Sequence, residues 1–282
     1  MTFDPRVTPA RADLAAGHLR GTVQAARYVA GERRRVRLPS TPMRAEPRPD
    51  ASYVSEALLG EPFVVYDSDE EGWSWGQLET DGYVGWLATG ALGDADPAPT
   101  HRVIVPRSHF YPVAGFRAPP LSPVGLGAQV HVLRVEERHA ATPHGFIRAT
   151  HLAPLGQAAG DYVAIAEAML GAPYVWGGRS GEGCDCSGLV QMALAGAGIA
   201  APRDSDMQQA GLGAALPEGA NALRRGDLVF WKGHVGIMRD ETRLLHANVW
   251  HMAVASEPLA EALERIGAQG GGAPTGFRRL AG

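Results

Sequence analysis

The chain has only two cysteines among its 282 residues, Cys184 and Cys186, so it carries no disulfide framework. It also lacks an apolar run of the ~18 residues that a membrane-spanning helix needs. Its first residues show neither the apolar core nor the cleavage site of a secretory signal. The Arg33-Arg34-Arg35 triplet is too short for a nucleic-acid-binding surface. These absences predict a cytoplasmic protein that binds neither nucleic acid nor membranes.

The overall composition is that of a folded globular protein. Hydrophobic residues make up 45% of the chain and charged residues 20%, with a net charge of −4. Such a balance argues against disorder. A length of 282 residues predicts two or three structural units rather than one.

The first half of the chain is rich in short β-forming runs separated by turn residues. Runs of this kind fill residues 22–96 and are typical of a small barrel. A proline-rich linker, residues 94–99, is followed by a second β-rich unit that ends much as the first does, with Gly145-Phe-Ile-Arg148 matching Tyr83-Val-Gly-Trp-Leu87. The predicted organisation is an N-terminal arm (1–21), a first barrel (22–96), a second barrel (97–157) and a C-terminal domain (158–282).

The C-terminal region has the pattern of an α+β domain. A helix is predicted over Asp161–Leu170, with Asp161 as its N-cap, and a second over Ser187–Ala195. Three short β-forming runs then predict an antiparallel meander: Leu228–Trp231, His234–Met238 and Arg243–Ala247.

Cys186 stands immediately before the second predicted helix. The free N–H groups and the positive dipole end of a helix favour the thiolate, which is the nucleophilic form of cysteine. We therefore interpret Cys186 as a candidate nucleophile. One alternative is a buried structural cysteine. Another is a zinc site shared with Cys184, although zinc would need two further ligands at suitable spacing and the chain has no second cysteine pair.

His234 and His246 lie on neighbouring strands of the predicted meander. If residue 238 pairs with 242, the two rings face each other, whereas a four-residue turn places them on opposite faces of the sheet. An odd loop would let one ring act as general base on Cys186 and the other orient it. The alternative is that both histidines are simply packed in the sheet.

Six ordered motifs resemble those of the NlpC/P60 cysteine peptidases, papain-like hydrolases that cut bacterial cell-wall peptides. The resemblance covers residues 158–280 and rests on Tyr174-x-Trp-Gly-Gly, Asp185-Cys-Ser-Gly-Leu, Pro202-Arg-Asp-Ser, Arg225-Gly-Asp-Leu-Val-Phe-Trp, His234-Val-Gly-Ile and Leu245-His-Ala. It implies Cys186 as nucleophile, His234 as base and His246 as the orienting residue, with no cofactor and no metal. The residues that it implies for substrate binding are Tyr174, Trp176, Asp185, Ser187 and Ser205; Trp176 could alternatively pack beneath the cleft.

The two N-terminal β units are similar to bacterial SH3-type barrels that precede this catalytic domain in one subgroup. The resemblance implies an α+β fold: a papain-like NlpC/P60 catalytic domain preceded by two small SH3-like β-barrels. That subgroup cleaves the γ-D-glutamyl–diamino acid bond of murein peptides with a free N-terminal L-alanine. Glu61 and Tyr83 match the segments that bind the alanine amine, although Leu59 stands where the subgroup often has tyrosine. Alternatively, Tyr83 is a core aromatic and Glu61 a solvated turn residue.

The sequence thus predicts a cytoplasmic cysteine peptidase that acts on murein peptides in cell-wall recycling. Two other functions stay open at this stage. One is a catalytically silent wall-binding protein that uses its barrels. The other is an amidase or acyl transferase on the same scaffold.

Overall fold

A computed structural model of the chain describes residues 3–95, 97–217, 219 and 223–280. The contacts divide it into two compact units, Met1–Leu155 and Gly156–Gly282. Asp96, at the predicted boundary between the two barrels, and the last two residues of the predicted C-terminal domain lie outside the described residues. No described helix combines the length and the apolar character needed to cross a membrane.

Where the structure describes it, the first unit consists of short strands and three single-turn 3₁₀ helices. The 3₁₀ helices are Gly17–Leu19, Thr89–Ala91 and Ala149–His151. The strands are β1 (Leu14–Ala16), β2 (Arg27–Val29), β3 (Glu32–Val36), β4 (Ser40–Arg44), β5 (Tyr53–Leu58), β6 (Pro62–Ser68), β7 (Trp73–Leu78), β8 (Val84–Ala88), β9 (Leu92–Gly93), β10 (His101–Val103), β11 (Arg107–Phe110), β12 (Ser122–Gly125), β13 (Gln129–Val130), β14 (Arg134–Glu136), β15 (His139–Thr142), β16 (Gly145–Arg148) and β17 (Leu152–Pro154).

A seven-stranded antiparallel sheet forms the larger part of this unit. Its strand order is β5-β4-β8-β7-β6-β3-β9. Alternate residues face the interior, as on β4, where Thr41 and Met43 are buried between less buried neighbours. Met43, Phe63 and Tyr83 belong to one hydrophobic cluster inside this sheet. β1 pairs with β2 in parallel, and Leu14 packs against Trp75, so the predicted N-terminal arm is in part an ordered strand.

Three smaller sheets follow, in the orders β13-β10-β17, β11-β12 and β14-β15-β16. They enclose a separate cluster that includes Val103, Phe110 and Ile147. β13 and β14 are separate strands although only three residues lie between them, because β13 pairs with β10 and β14 with β15. Both β regions end in a strand, one 3₁₀ turn and a short strand, which is the repeated ending that the sequence indicated. That the second region is an SH3-type barrel stays a prediction.

In its described residues, the second unit combines four α-helices with a six-stranded sheet and one small hairpin. The helices are α1 (Tyr162–Glu167), α2 (Cys186–Gly196), α3 (Ser205–Gly211) and α4 (Leu259–Ala268). The strands are β18 (Arg179–Ser180), β19 (Gly183–Cys184), β20 (Ala214–Ala215), β21 (Leu228–Trp231), β22 (His234–Met238), β23 (Arg243–Asn248), β24 (Ala253–Pro258) and β25 (Gly276–Arg279).

The six-stranded sheet is antiparallel throughout, in the order β20-β25-β21-β22-β23-β24, and α2 packs on β22 and β23. Every residue of α2 from Cys186 to Leu194 is buried, including the polar Ser187 and Gln191. Asp161 caps α1 as predicted, accepting hydrogen bonds from Val163 N and Ala164 N, but this helix ends at Glu167 rather than at Leu170. The fold therefore sets the start of one buried helix against the centre of the sheet.

Candidate active site

Cys186 is the first residue of α2, and Asp185 is the N-cap of that helix. The Asp185 carboxylate accepts from Gly188 N at 2.7 Å, which satisfies one of the free N–H groups of the first turn. A side chain at Gly188 would place its Cβ 2.2 Å from the carbonyl oxygen of Gly178. The Asp-Cys-Ser-Gly motif thus has a physical cause: an acid caps the helix, and only glycine fits where the helix touches the preceding loop.

The Cys186 thiol lies beside the turn that precedes β22. Its Sγ is 4.0 Å from the carbonyl oxygen of Gly233. Burial raises the pKa of the thiol to about 12, and the negative charge of Asp185 acts in the same direction. The backbone N–H groups of Val235 and Ser187 favour the thiolate but do not outweigh these effects. The helix start therefore favours the thiolate, as expected from the sequence, but burial has the larger effect and the net shift of the Cys186 pKa is upward.

His234 and His246 are hydrogen-bonded to each other through their rings. His234 Nε2 lies 2.8 Å from His246 Nδ1. The register differs from both sequence alternatives, since Met238 pairs with Leu244 rather than with residue 242 or 243. The intervening loop of five residues is still odd. The rings therefore share a face as diagonal rather than direct neighbours.

Two features of the hairpin bring the rings together. In the loop, Asp240 accepts hydrogen bonds from Thr242 N at 2.8 Å and from Arg243 N at 2.9 Å, which stabilises the turn. On the strands, Gly236 faces His246: an added Cβ would lie 3.2 Å from His246 Cβ and 2.7 Å from Leu244 Cδ1. The absence of a side chain at Gly236 leaves room for the His246 ring.

Glu257 and Arg265 extend this hydrogen-bonded chain, and the sequence analysis missed both. His246 Nε2 lies 2.7 Å from Glu257 Oε1, and Arg265 donates to the same oxygen. Glu257 is on β24, where Leu244 pairs with Glu257 and His246 with Ala255. The acid therefore lies diagonally across from His246. That placement depends on a strand register that the sequence does not fix.

Both histidines are neutral at pH 7. Burial lowers the pKa of His234 to about 3, and the positive charge of Arg265 acts in the same direction. Burial also lowers the pKa of His246, although its hydrogen bond to Glu257 opposes this effect. These pKa shifts favour a protonated thiol and two neutral imidazoles over a thiolate–imidazolium pair.

Asp185 and Ser187, both expected to bind substrate, take part in a buried network with Arg203. Arg203 donates to Asp185 Oδ2 at 2.7 Å and to Ser187 Oγ at 2.9 Å. Asp185 Oδ2 also accepts from Gly177 N at 2.9 Å. The network joins the loop before β18, the start of α2 and the segment before α3. A role of Asp185 and Ser187 in substrate binding stays a prediction.

The other three predicted cleft residues differ in their exposure. Tyr174 is half-buried, and burial raises the pKa of its hydroxyl, with the negative charge of Asp185 acting in the same direction. Trp176 is 66% exposed, which rules out the alternative that it packs beneath the cleft. Ser205 is half-buried at the start of α3. Their contacts with substrate stay predictions.

Cys184 is fully buried on β19, and both cysteines are free thiols. Cys184 N donates to the carbonyl oxygen of Pro173, and Val175 N donates to that of Cys184. This residue therefore serves as part of the backbone support behind the Tyr174 loop.

Glu61 and Tyr83 belong to the first unit. Glu61 is 3% exposed, and its carboxylate accepts from Leu58 N at 2.7 Å and from Thr80 Oγ1 at 2.9 Å. It is therefore not the solvated turn residue that the sequence analysis offered as an alternative. Tyr83 is 4% exposed and part of the hydrophobic cluster, as the alternative of a core aromatic predicts. Binding of an amine by these residues stays a prediction.

One group of described residues has the ligand types of a metal site: His246, His251 and Glu257, whose potential ligand atoms lie within 4.8 Å of one another. The residues fit a cation poorly. His246 Nε2 and Glu257 Oε1 already bond each other, and the Arg265 guanidinium bonds the same carboxylate and would repel a cation.

The sequence matches two known families. Residues 171–263 match the NlpC/P60 family, and residues 43–92 match the bacterial dipeptidyl-peptidase Sh3 domain. The first match contains Cys186, both histidines and Glu257. The second contains Glu61 and Tyr83.

Curated relatives extend the likeness. The γ-D-glutamyl-L-lysine dipeptidyl-peptidase of Bacillus subtilis is 31% identical over 185 residues, which cover 59% of this chain and 60% of that protein. A probable endopeptidase of Corynebacterium glutamicum is 30% identical over 62% of this chain and 82% of its own length. This chain thus spans about three fifths of the Bacillus subtilis relative.

The fold is also similar to that of a solved structure. The crystal structure of an NlpC/P60 family protein from Bacillus cereus superposes with a TM-score of 0.73 at 21% identity, covering 88% of this chain and 99% of the other. With the catalytic-domain match, the SH3-domain match and a relative aligned along most of its length, the chain belongs to the NlpC/P60 family.

Proposed function

We propose that the protein is a cysteine peptidase that hydrolyses the γ-D-glutamyl–diamino acid bond of murein peptides. The observation that carries the proposal is the hydrogen bond between His234 and His246 beside a buried cysteine at a helix start. A base oriented by a third group next to a nucleophile is the arrangement that covalent acyl transfer requires.

In the first half of the reaction, Cys186 becomes acylated. The thiol gives its proton to His234 Nδ1, since Nε2 of that ring is bonded to His246. The sulfur then attacks the carbonyl carbon of the γ-D-glutamyl amide. The His234 imidazolium returns the proton to the leaving amine of the diamino acid. The C–N bond breaks, and a thioester remains on Cys186.

In the second half, water replaces the amine. His234 Nδ1 takes a proton from water, the hydroxyl oxygen bonds to the thioester carbon, and the C–S bond breaks. The proton passes to the departing sulfur. The products are a peptide ending in D-glutamate with a free γ-carboxylate and a free diamino acid amine, and the thiol is restored.

The substrate class rests on the relatives and on the first unit. The Bacillus subtilis relative is named for the γ-D-glutamyl-L-lysine bond, and the first unit carries the dipeptidyl-peptidase Sh3 pattern. We propose that a free N-terminal L-alanine is required and that Glu61 and Tyr83 recognise its ammonium group. A carboxylate and a phenol oxygen suit this group chemically.

A requirement for a free amine favours short, released peptides over polymeric wall. We therefore propose a role in recycling of wall fragments, with the cytoplasm as its site. We also propose that the second β-rich region is an SH3-type barrel that serves as scaffold, on the strength of the strand, 3₁₀ turn and strand with which both β regions end.

The test is mass spectrometry of products from free L-Ala-γ-D-Glu-diaminopimelate and from intact sacculi. We expect L-Ala-D-Glu and free diaminopimelate from the tripeptide, little release from sacculi, and no products with Cys186→Ser. Undiminished hydrolysis by Cys186→Ser would overturn the cysteine mechanism. Products joined to an added amine would instead identify an acyl transferase, because an amine can replace water at the thioester.

A further inference from the structure

A hydrogen-bonded chain of four side chains runs from α4 to the proposed base. Arg265 donates through Nη2 to Glu257 Oε1, and the same oxygen lies 2.7 Å from His246 Nε2. His246 Nδ1 in turn lies 2.8 Å from His234 Nε2. Four successive elements, β22, β23, β24 and α4, contribute one member each.

We propose that Glu257, held by Arg265, is a positioning residue that sets the tautomers of both histidines and so leaves the Nδ1 lone pair of His234 free to take the proton of Cys186. The inference deepens the proposed function and rests on it for its kinetic test. Its spectroscopic test needs no substrate.

The assignment follows from counting protons along the chain. A guanidinium only donates, and a carboxylate only accepts, so His246 Nε2 must carry the proton that lies between it and Glu257. A neutral imidazole has one N–H, so His246 Nδ1 accepts, and His234 Nε2 must donate to it. By the same rule, His234 Nδ1 has no proton and is the basic nitrogen.

The charge states agree with this count. Burial alone would raise the pKa of Glu257, but the hydrogen bond from His246 and the positive charge of Arg265 hold it below its ordinary value. Burial lowers the pKa of both histidines. At pH 7 the carboxylate is therefore ionised and both rings are neutral.

Loss of the Glu257 acceptor would allow the opposite arrangement. His246 could then carry its proton on Nδ1, directed at His234 Nε2, which would have to accept it. The proton of His234 would move to Nδ1 and face the thiol, so the ring could not act as a base. In a serine protease triad, the wrong tautomer lowers kcat about 10⁴-fold.

We expect a smaller effect here, because water can in part replace the lost acceptor. Glu257 lines an open cavity of about 470 Å³ together with Trp250, Glu261 and Glu264. Glu257→Ala should lower kcat on the order of 10²-fold. KM should stay within about threefold of the unaltered value, since a positioning residue does not touch the substrate.

The spectroscopic test is ¹⁵N NMR of the imidazole nitrogens of the whole, substrate-free protein, with the signals assigned from single histidine variants. In the unaltered protein we expect both His234 and His246 to carry their proton on Nε2. In Glu257→Ala the protonated nitrogen should shift toward Nδ1 in both rings. Glu261→Ala is the matched control: this acid lines the same cavity, and its variant should keep the tautomers and kcat of the unaltered protein.

Two further variants keep the test decisive if Glu257→Ala fails to fold. In Glu257→Gln, Arg265 holds the amide oxygen in place, so the tautomers should persist. The hydrogen bond to His246 loses its charge assistance, and kcat should therefore fall tenfold or less. In Glu257→Gln/Arg265→Met the amide can rotate and donate its N–H to His246. The tautomers should then reverse, and kcat should fall on the order of 10²-fold.

The outcomes separate this inference from the proposed function. Unchanged tautomers in both Glu257→Ala and the double variant, or a proton on His246 Nδ1 in the unaltered protein, would overturn the inference even if murein peptides are cleaved. Reversal of the tautomers in a protein that cleaves no murein peptide would support the inference and contradict the proposed function.

Discussion

At the scale of single residues, the two cysteines differ in their surroundings although they lie two positions apart. Cys186 begins a helix beside the turn before His234, whereas Cys184 is part of a small hairpin and bonds neighbouring backbone. Both are buried, so burial alone does not identify the nucleophile.

We expect Cys186→Ser to lower kcat by at least roughly 10³-fold, because the hydroxyl is a far weaker acid than the thiol and His234 cannot activate it as well. Cys184→Ala should keep kcat within about tenfold and cost about 1 kcal/mol of unfolding free energy, through the small cavity that it leaves. Peptide hydrolysis and urea unfolding measure the two effects. Equal loss of activity in the two variants would indicate a paired-thiol or metal site instead.

The neutral state of His234 makes stability depend on pH. Its pKa is about 3 in the folded protein against an ordinary value of 6.5. Below pH 6.5 the unfolded chain therefore binds a proton that the folded protein does not. As the pH decreases from 6.5 to 3, this difference should lower the free energy of unfolding by up to about 1.4 kcal/mol per pH unit.

Urea unfolding of the unaltered protein and of His234→Gln at pH 7.5 and 4.5 isolates this contribution. The unfolding free energy of the unaltered protein should decrease by about 2–3 kcal/mol more than that of the variant between pH 7.5 and pH 4.5. An identical pH dependence in the two proteins would contradict the lowered pKa of His234.

At the scale of elements, β22 and β23 must approach closely for the two rings to bond. Gly236→Ala would place its Cβ against Leu244 and His246 and push the strands apart. We expect a fall in kcat of roughly tenfold or more and a loss of about 1–3 kcal/mol of unfolding free energy. Gly267→Ala on α4 is the matched control. Its Cβ meets no atom within 4 Å, so it should leave kcat unchanged and add about 0.5–1 kcal/mol of stability.

The start of α2 depends on the ion pair between Arg203 and Asp185. Both side chains are buried, so Arg203→Met leaves a buried carboxylate without its countercharge. We expect a loss of about 3–5 kcal/mol of unfolding free energy in urea. Arg225→Met breaks exposed pairs with Asp161 and Glu167 and should change stability by about 1 kcal/mol or less. Similar losses of unfolding free energy in the two variants would indicate that the buried Arg203 pair contributes no more to stability than the exposed pairs.

The sequence predicts α2 and the three-stranded meander because their apolar runs are uninterrupted and bounded by turn residues. It predicts an odd loop as the requirement for neighbouring histidine rings, and the five-residue loop meets it. It does not yield the actual register, which depends on the Asp240 turn. Glu257 and Arg265 escape sequence reasoning for the same reason. Their contact with His246 depends on the pairing of β24 and on the placement of α4, and no short motif encodes either.

At the scale of the whole molecule, the first unit is expected to select the substrate of the second. If Glu61 pairs with the substrate amine, acetylation of the L-alanine nitrogen should lower kcat/KM roughly 30- to several-thousand-fold, the equivalent of about 2–5 kcal/mol. Glu61→Gln should bring the kcat/KM values for the free and the acetylated peptide closer together. Both values can also fall in this variant, because the buried contacts with Leu58 and Thr80 weaken.

The measurement is kcat/KM for free and acetylated tripeptide with both proteins, with Glu79→Gln as a control acid of the same unit whose side chain is exposed. If Glu61→Gln leaves the ratio within about threefold of the unaltered value, Glu61 does not bind the amine. Equal rates on both peptides in the unaltered protein would also remove the basis of the recycling assignment.

The raised pKa of Cys186 has a consequence for inhibition. Simple alkylating reagents and peroxide react with thiolates, and the raised pKa disfavours the thiolate form of this sulfur at pH 7. Such reagents should therefore label the protein slowly, and the sulfur should survive exposure to air. Under the proposed mechanism, an electrophile attached to a murein-like peptide would instead lie where His234 removes the thiol proton as the bond forms. Selective inactivators of this protein should thus derive their potency from substrate mimicry rather than from intrinsic reactivity.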